Sequence, residues 1–191
     1  MNANTTATAN TTKTTTTRYT LDAGHSAVGF SIRHLMITNV RGEFSSYRGE
    51  VAYDAARPEA TRLDATIDVK SLSTRQTKRD QDLLSPLFFD ADNHPTITFV
   101  SKSARAVGEG EIEVTGDLTI RGISHEVTLA VREISGPQVD MGGNTRMGAT
   151  ASAKIKRADF GMTWNKALET GGVVVGEAVT ISLEVSLIKA A

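Results

Sequence analysis

Leu63-Asp64-Ala65-Thr66-Ile67-Asp68-Val69-Lys70 sets apolar and polar residues in strict alternation. A period of two puts every second side chain on one face, so the segment reads as a strand with one buried and one wet side. The pattern returns near the C-terminus, where Val179, Ile181, Leu183, Val185 and Leu187 alternate with Thr180, Ser182, Glu184 and Ser186. Ile112, Val114, Leu118 and Ile120 carry it too, as do Val127, Leu129 and Val131. Outward from these runs the chain divides into eight expected strands, at about 18–34 with a break near Gly24, 40–54, 62–70, 96–104, 109–121, 123–134, 145–157 and 177–189. Arg57-Pro58, Gly108-Glu109-Gly110, Arg121-Gly122 and Ser135-Gly136-Pro137 punctuate them as turns. One helix is expected, capped near Ser73-Thr74 and running through Leu84 to Pro86.

An all-β chain of this kind closes into a barrel or folds as a sandwich. Strand length favours the barrel: about 12 residues rise roughly 40 Å, and still span about 30 Å when tilted by about 40°. The interior of an eight-stranded barrel is either filled by side chains or just wide enough for one small ligand. Met147, Ala149, Ala151, Ala153 and Ile155 share one face of the strand at 145–157. Three successive alanines on an inward face leave room that leucines would fill. Phe30, Phe44, Phe88, Phe89, Phe99 and Trp164, six of the ten aromatics, are spread over distant strands and the loop after the helix. They either converge on a dry channel or form an ordinary core, and the residues alone leave both open.

A length of 191 residues suits one domain, and 21 basic against 22 acidic side chains leave a net charge of −1. That balance gives no electrostatic footprint for nucleic acid and no polybasic run for an anionic membrane. With no cysteine there is neither a disulfide framework nor a thiol nucleophile. Nine of the first 17 residues are threonine, and Lys13 is their one charge. Residues 1–17 are expected to be a disordered tail on a domain spanning 18–191, without the apolar core of a secretory signal. Nothing approaches the roughly 18 apolar residues of a membrane span. The expectation is a cytoplasmic protein.

Catalysis is suggested most directly by Asp22, His25 and Ser26. A triad needs the imidazole between hydroxyl and carboxylate, and adjacent residues such as His25 and Ser26 diverge. A turn in which Asp22 and Ser26 bond backbone groups is the preferred reading. His25, His34, His94 and His125 lie in no metal-ligand spacing, so no metal is expected. His34 follows Phe30 and Ile32 by period two, which aims it at the interior. Gly108-Glu109-Gly110, Gly142-Gly143 and Gly171-Gly172 lack the context of phosphate loops and read as turns.

Several segments together carry a resemblance. Asp22-Ala23-Gly24-His25-Ser26, Phe30-Ser31-Ile32-Arg33-His34, Val40-Arg41-Gly42-Glu43-Phe44 and Asp82 through Asp90 are followed by His94-Pro95-Thr96-Ile97-Thr98-Phe99. Gly116 through Gly122, Arg157 through Asn165 and Val175 through Ile181 complete the series. From Tyr19 onward the chain resembles the YceI-like family of lipid- or polyisoprenoid-binding proteins. The resemblance implies an extended, lipocalin-like, eight-stranded antiparallel barrel with a helix over one side. It implies amphiphiles with long apolar tails held inside, and often a homodimer. Asp82 stands where many members have histidine, so any role tied to that residue is missing here. Many members are exported, a departure from the expectation above.

The combined expectation is a binding protein without cofactor or catalytic residues, acting as carrier or sequestering protein for an isoprenoid, quinone-like or fatty-acyl lipid. Phe30, Ile32, His34, Phe44, Phe88, Phe89, Phe99, Ala151 and Trp164 are its candidate ligand contacts. Arg33, Arg41 or His34 would meet a polar head at the mouth. The alternatives are an isomerase or hydrolase using His25 or His34 with Asp22, and a structural domain with a solid core.

Overall fold

The computed structural model describes residues 16–169 and 171–191. The tail expected over 1–17 thus lies, up to residue 15, outside the described residues, and Thr17 already opens the first strand. The strands are β1 (Thr17–Leu21), β2 (Ala27–His34), β3 (Thr38–Phe44), β4 (Tyr47–Tyr53), β5 (Arg62–Asp68) and β6 (Leu72–Ser73). After the helix α1 (Thr77–Leu84) come β7 (Thr96–Gly108), β8 (Glu111–Ile120), β9 (Ile123–Arg132), β10 (Gln138–Val139), β11 (Thr145–Lys156) and β12 (Val175–Lys189).

Pairing runs β11-β9-β8-β7-β5-β4-β1-β12 and returns from β12 to β11, which closes the ring. Closure removes the unpaired edges that an open sheet would expose. β1 and β2 act as one long strand, since both pair with β12: Tyr19 faces Lys189, and Ala27 faces Glu184. β3 and β4 are likewise two halves of one strand, paired with β2 and β1 respectively. Eight long antiparallel strands result, as the alternation predicts. Among the described residues no helix is long and apolar enough to cross a membrane.

The break near Gly24 is stitched rather than loose. Asp22 caps a short 3-10 turn, Ala23–His25, by accepting the Gly24 N–H at 3.0 Å. Ser26 Oγ donates to the Asp22 carbonyl at 2.7 Å and accepts the Ser186 N–H at 2.9 Å, tying the break to β12. Elsewhere Gly116 answers a steric need. A Cβ there would overlap the Val100 carbonyl, beside the bulge where β7 slips register between Ser101 and Ser103.

The helix begins later than expected. Its cap is Gln76, whose side chain accepts the Arg79 N–H at 2.6 Å, and Ser73 instead pairs with Glu43 in β6. Thr74 is consumed by tertiary bonds. Its N–H and hydroxyl donate to Asp80 at 2.8 and 2.5 Å, and its Oγ and carbonyl accept from Arg79 at 2.7 and 2.8 Å. Arg75 then turns the chain with a φ of +64°. This knot ropes α1 to the barrel wall.

The barrel has two unlike ends. At the first, the β2–β3 and β8–β9 turns meet the loops after α1 and β11. At the second, the β4–β5 and β7–β8 connections surround a plug of Tyr19, Met147 and Leu187, backed by Tyr53 and Ile134.

Candidate functional site

Inward side chains from all eight long strands line a cavity of about 260 Å³. Phe30 and Ile32 of β2, Phe44 of β3, Phe99 of β7, Leu129 of β9 and Leu183 of β12 are part of its wall. Strand alternation delivers them: each is spaced by two from another inward residue. Ala149 and Ala151 of β11 also line it, between the bulkier Met147 and Ile155. The small face of β11 therefore makes space, as its sequence implies. Ala153 packs against the core without reaching the cavity lining.

Almost no polar atom faces this space. Three of the polar residues at the wall, Tyr47, Thr61 and Arg157, turn their tips onto backbone carbonyls. Tyr47 donates its hydroxyl to the Ser26 carbonyl at 2.6 Å, and Thr61 donates to the Pro58 carbonyl at 2.6 Å. Arg157, only 4% exposed, donates to the carbonyls of Gly176 and Trp164, each at 2.8 Å, and to that of Met162. Burial lowers the Arg157 pKa below the ordinary guanidinium value, opposed by the charge of Glu177. The wall is thus greasy even where its residues are not.

Seven of the nine expected contacts lie on the cavity: Phe30, Ile32, Phe44, Phe88, Phe89, Phe99 and Ala151. Three of them form a cluster, with the Phe30 ring centroid 5.9 Å from Phe44 and 6.5 Å from Phe89, and Phe44 6.1 Å from Phe89. Gly42 permits it, because a Cβ there would overlap the Phe30 ring. The other two, His34 and Trp164, lie off the cavity lining. Period two does carry past Ile32, but β2 ends at His34 and the chain reverses, so His34 stands beyond the cavity wall. Trp164 is 38% exposed and reaches the lumen only through Phe88, 5.6 Å away. Val114, Leu118 and Ile155 also line the cavity; the alternation marks them, but they are not among the nine expected contacts.

The Asp22 cluster is arranged as a structural joint. His25 Nδ1 lies 2.7 Å from Asp22 Oδ2, but Ser26 Oγ is engaged with Asp22 and Ser186 main-chain atoms, with no bond to the imidazole. Arg146 clamps Asp22 from β11 and reaches Asp140 at 2.5 Å with its Nε. Arg146 first, and His25 second, bring the Asp22 pKa down to about 2. Of the other histidines, His125 bonds the Asp159 carbonyl at 2.9 Å and packs on Phe160, and His94 lies 3.9 Å from Asp90. Among the described residues no three potential ligands gather as a metal set.

Known proteins share this architecture. The YceI-like domain model matches residues 19–187. A UPF0312 protein of Staphylococcus aureus strain MSSA476 is 37% identical over 163 residues, covering 85% of this chain and 92% of the relative. A Campylobacter jejuni YceI protein superposes with a TM-score of 0.70 at 32% identity, covering 90% of this chain and 97% of that one. Burkholderia cenocepacia BcnA gives a TM-score of 0.77 at 24% identity, covering 87% and 98%. A polyisoprenoid binding domain from Saccharophagus degradans gives 0.65 at 18%, covering 90% and 98%, a likeness of fold. With a domain match across nearly the whole barrel and relatives above 30% identity, the chain belongs to the YceI-like family.

Proposed function

We propose that the protein binds the apolar chain of one amphiphile inside its barrel, as a carrier or sequestering protein for an isoprenoid, quinone-like or fatty-acyl lipid. The observation that carries this reading is the carbon-walled cavity of about 260 Å³ inside the barrel. A cavity of about 150 Å³ takes up benzene, so this one suits about ten carbons, close to two isoprene units. A longer chain extends past the wall. Burying ten carbons contributes about 8 kcal/mol gross, from which association and ordering subtract.

A head group gains nothing against such a wall, so the tail enters first and the head stays at the rim. The kinship in fold with a domain described as polyisoprenoid binding supports the choice of ligand class. Carriage rather than turnover is favoured because, among the described residues, no carboxylate or imidazole lines the cavity. The same reading includes a cytoplasmic location and a homodimer, to be tested by cell fractionation and by light scattering. Native mass spectrometry with isoprenols of increasing length tests the binding. A saturable one-to-one adduct that strengthens up to about ten carbons is expected; absence of any adduct would overturn the proposal.

A further inference from the structure

The β2–β3 turn holds two large apolar residues where the backbone least tolerates them. Leu35 and Met36 have φ of +50° and +59°, and the Ile37 N–H closes the turn onto the His34 carbonyl at 3.0 Å. Two-residue turns of this hand favour Asn and Gly, because side chains with Cβ are disfavoured at positive φ. Packing covers these side chains only in part, Met36 beside Gly172. Leu35 is 37% exposed, Met36 50% and Ile37 74%. Strain kept at a site that the fold itself does not need points to a use outside the fold.

The same barrel end carries Leu87 at 56% exposure and Trp164 at 38%. This rim is continuous with the lumen at two places. Ile32 and Val175 line the cavity, and the turn rises directly from their strands, with His34 paired to Val175 and the Leu35 N–H bonded to the Val174 carbonyl at 2.8 Å. Phe88 also lines the cavity, and its ring packs on Trp164. Exposed Arg33 and Lys166 flank the rim, where long cationic side chains can reach a headgroup layer while the apolar tips go deeper. Val139 and Met141 are exposed as well, but they belong to the second end, behind the Tyr19 plug.

We propose that the first end of the barrel is a lipid-docking surface: Leu35, Met36, Ile37, Leu87 and Trp164 insert into a bilayer and place the mouth of the lumen against the lipid phase. The proposal rests on the binding reading above, which supplies the reason for a cavity to open toward membrane-resident chains. The rim is a set of separate apolar tips on turns, a form suited to a fluid surface and not to a groove-filling peptide.

Trp164 is the chain's one tryptophan and reports on the rim directly. With isoprenoid-free phosphatidylcholine vesicles, the full chain should float with the lipid, and its tryptophan emission should shift to the blue. Ile37→Glu and, separately, Leu87→Glu should weaken partitioning about tenfold. Met141→Glu, at the other end, should leave it unchanged. Lumen binding from dispersed geraniol, read by native mass spectrometry, should survive all three substitutions. No flotation and no blue shift for the unaltered chain overturns the docking proposal, as does equal weakening by Met141→Glu. A dimer in lipid-free buffer that Ile37→Glu dissociates also overturns it, making the rim a self-interface. Loss of geraniol binding by the unaltered chain strikes the binding reading instead, and so is distinguishable.

Discussion

Ala151→Phe fills the lumen from the small-residue face of β11. Ala151 sits midway along β11, opposite Leu183 of β12 and Val131 of β9, with its side chain on the cavity. A benzene ring takes about 150 Å³ of cavity, more than half of the space, and leaves room for about four carbons. Losing the burial of about six carbons removes about 5 kcal/mol of gross transfer energy. With about half of that surviving association and ordering costs, affinity should fall about 100-fold. Stability should stay within about 1 kcal/mol, because the ring occupies existing space and creates no void. Calorimetric titration with geraniol, beside thermal melting of the same samples, measures both quantities. A folded Ala151→Phe protein that binds geraniol as tightly as the parent would refute the placement of the chain in the lumen.

Other consequences concern the joints that hold the barrel in shape. The Asp22 carboxyl titrates at about 2 and not at 3.8, because Arg146 and then His25 favour its charged form. Its pairing therefore stabilises the fold above pH 3.8 and is lost as pH falls from there through about 2. An NMR titration of Asp22 should show the low midpoint, with Arg146→Ala moving it back toward the ordinary carboxylate range. Arg157→Met leaves the carbonyls of Gly176, Met162 and Trp164 without their donor and should cost about 2–4 kcal/mol in denaturant unfolding. Gly116→Ala forces a Cβ against the Val100 carbonyl and should cost about 2 kcal/mol, lowering the melting temperature by several degrees. Asp80→Ala frees the Thr74 donors and should speed amide exchange over residues 73–84 while the rest of the barrel stays protected.

Alternation carried most of the fold. It gave eight strands close to their observed places, including the interruption near Gly24, because an inward residue at every second position is what a one-sided sheet demands. Residues on the inner wall were legible for the same reason, and the β11 alanines announced space before its shape was known. The helix start was not legible. Ser73-Thr74 has the residue types of a cap, but a pairing with Glu43 and bonds from Asp80 and Arg79 outcompete it, and those partners meet only in three dimensions. His34, the last residue of β2, lies off the cavity lining, at the point where the chain turns back into β3. The place of Trp164, beside the lining and not on it, depends on the loop after β11, whose path the Arg157 side chain fixes by donating to main-chain carbonyls, a contact that alternation does not mark. The extent of free space was also beyond reach, since it depends on how the Phe30, Phe44 and Phe89 rings stack.

An NMR measurement of intermolecular contacts tests the central claim most directly. With methyl-labelled protein and unlabelled geraniol, cross-relaxation should connect the ligand to Val114, Leu118, Ile155 and Leu183, whose methyls face the cavity. Exposed Val100 and Val139 should give none. Contacts confined to those outer methyls, with the inner ones silent, would mean that the barrel is a solid body and its ligand a surface passenger.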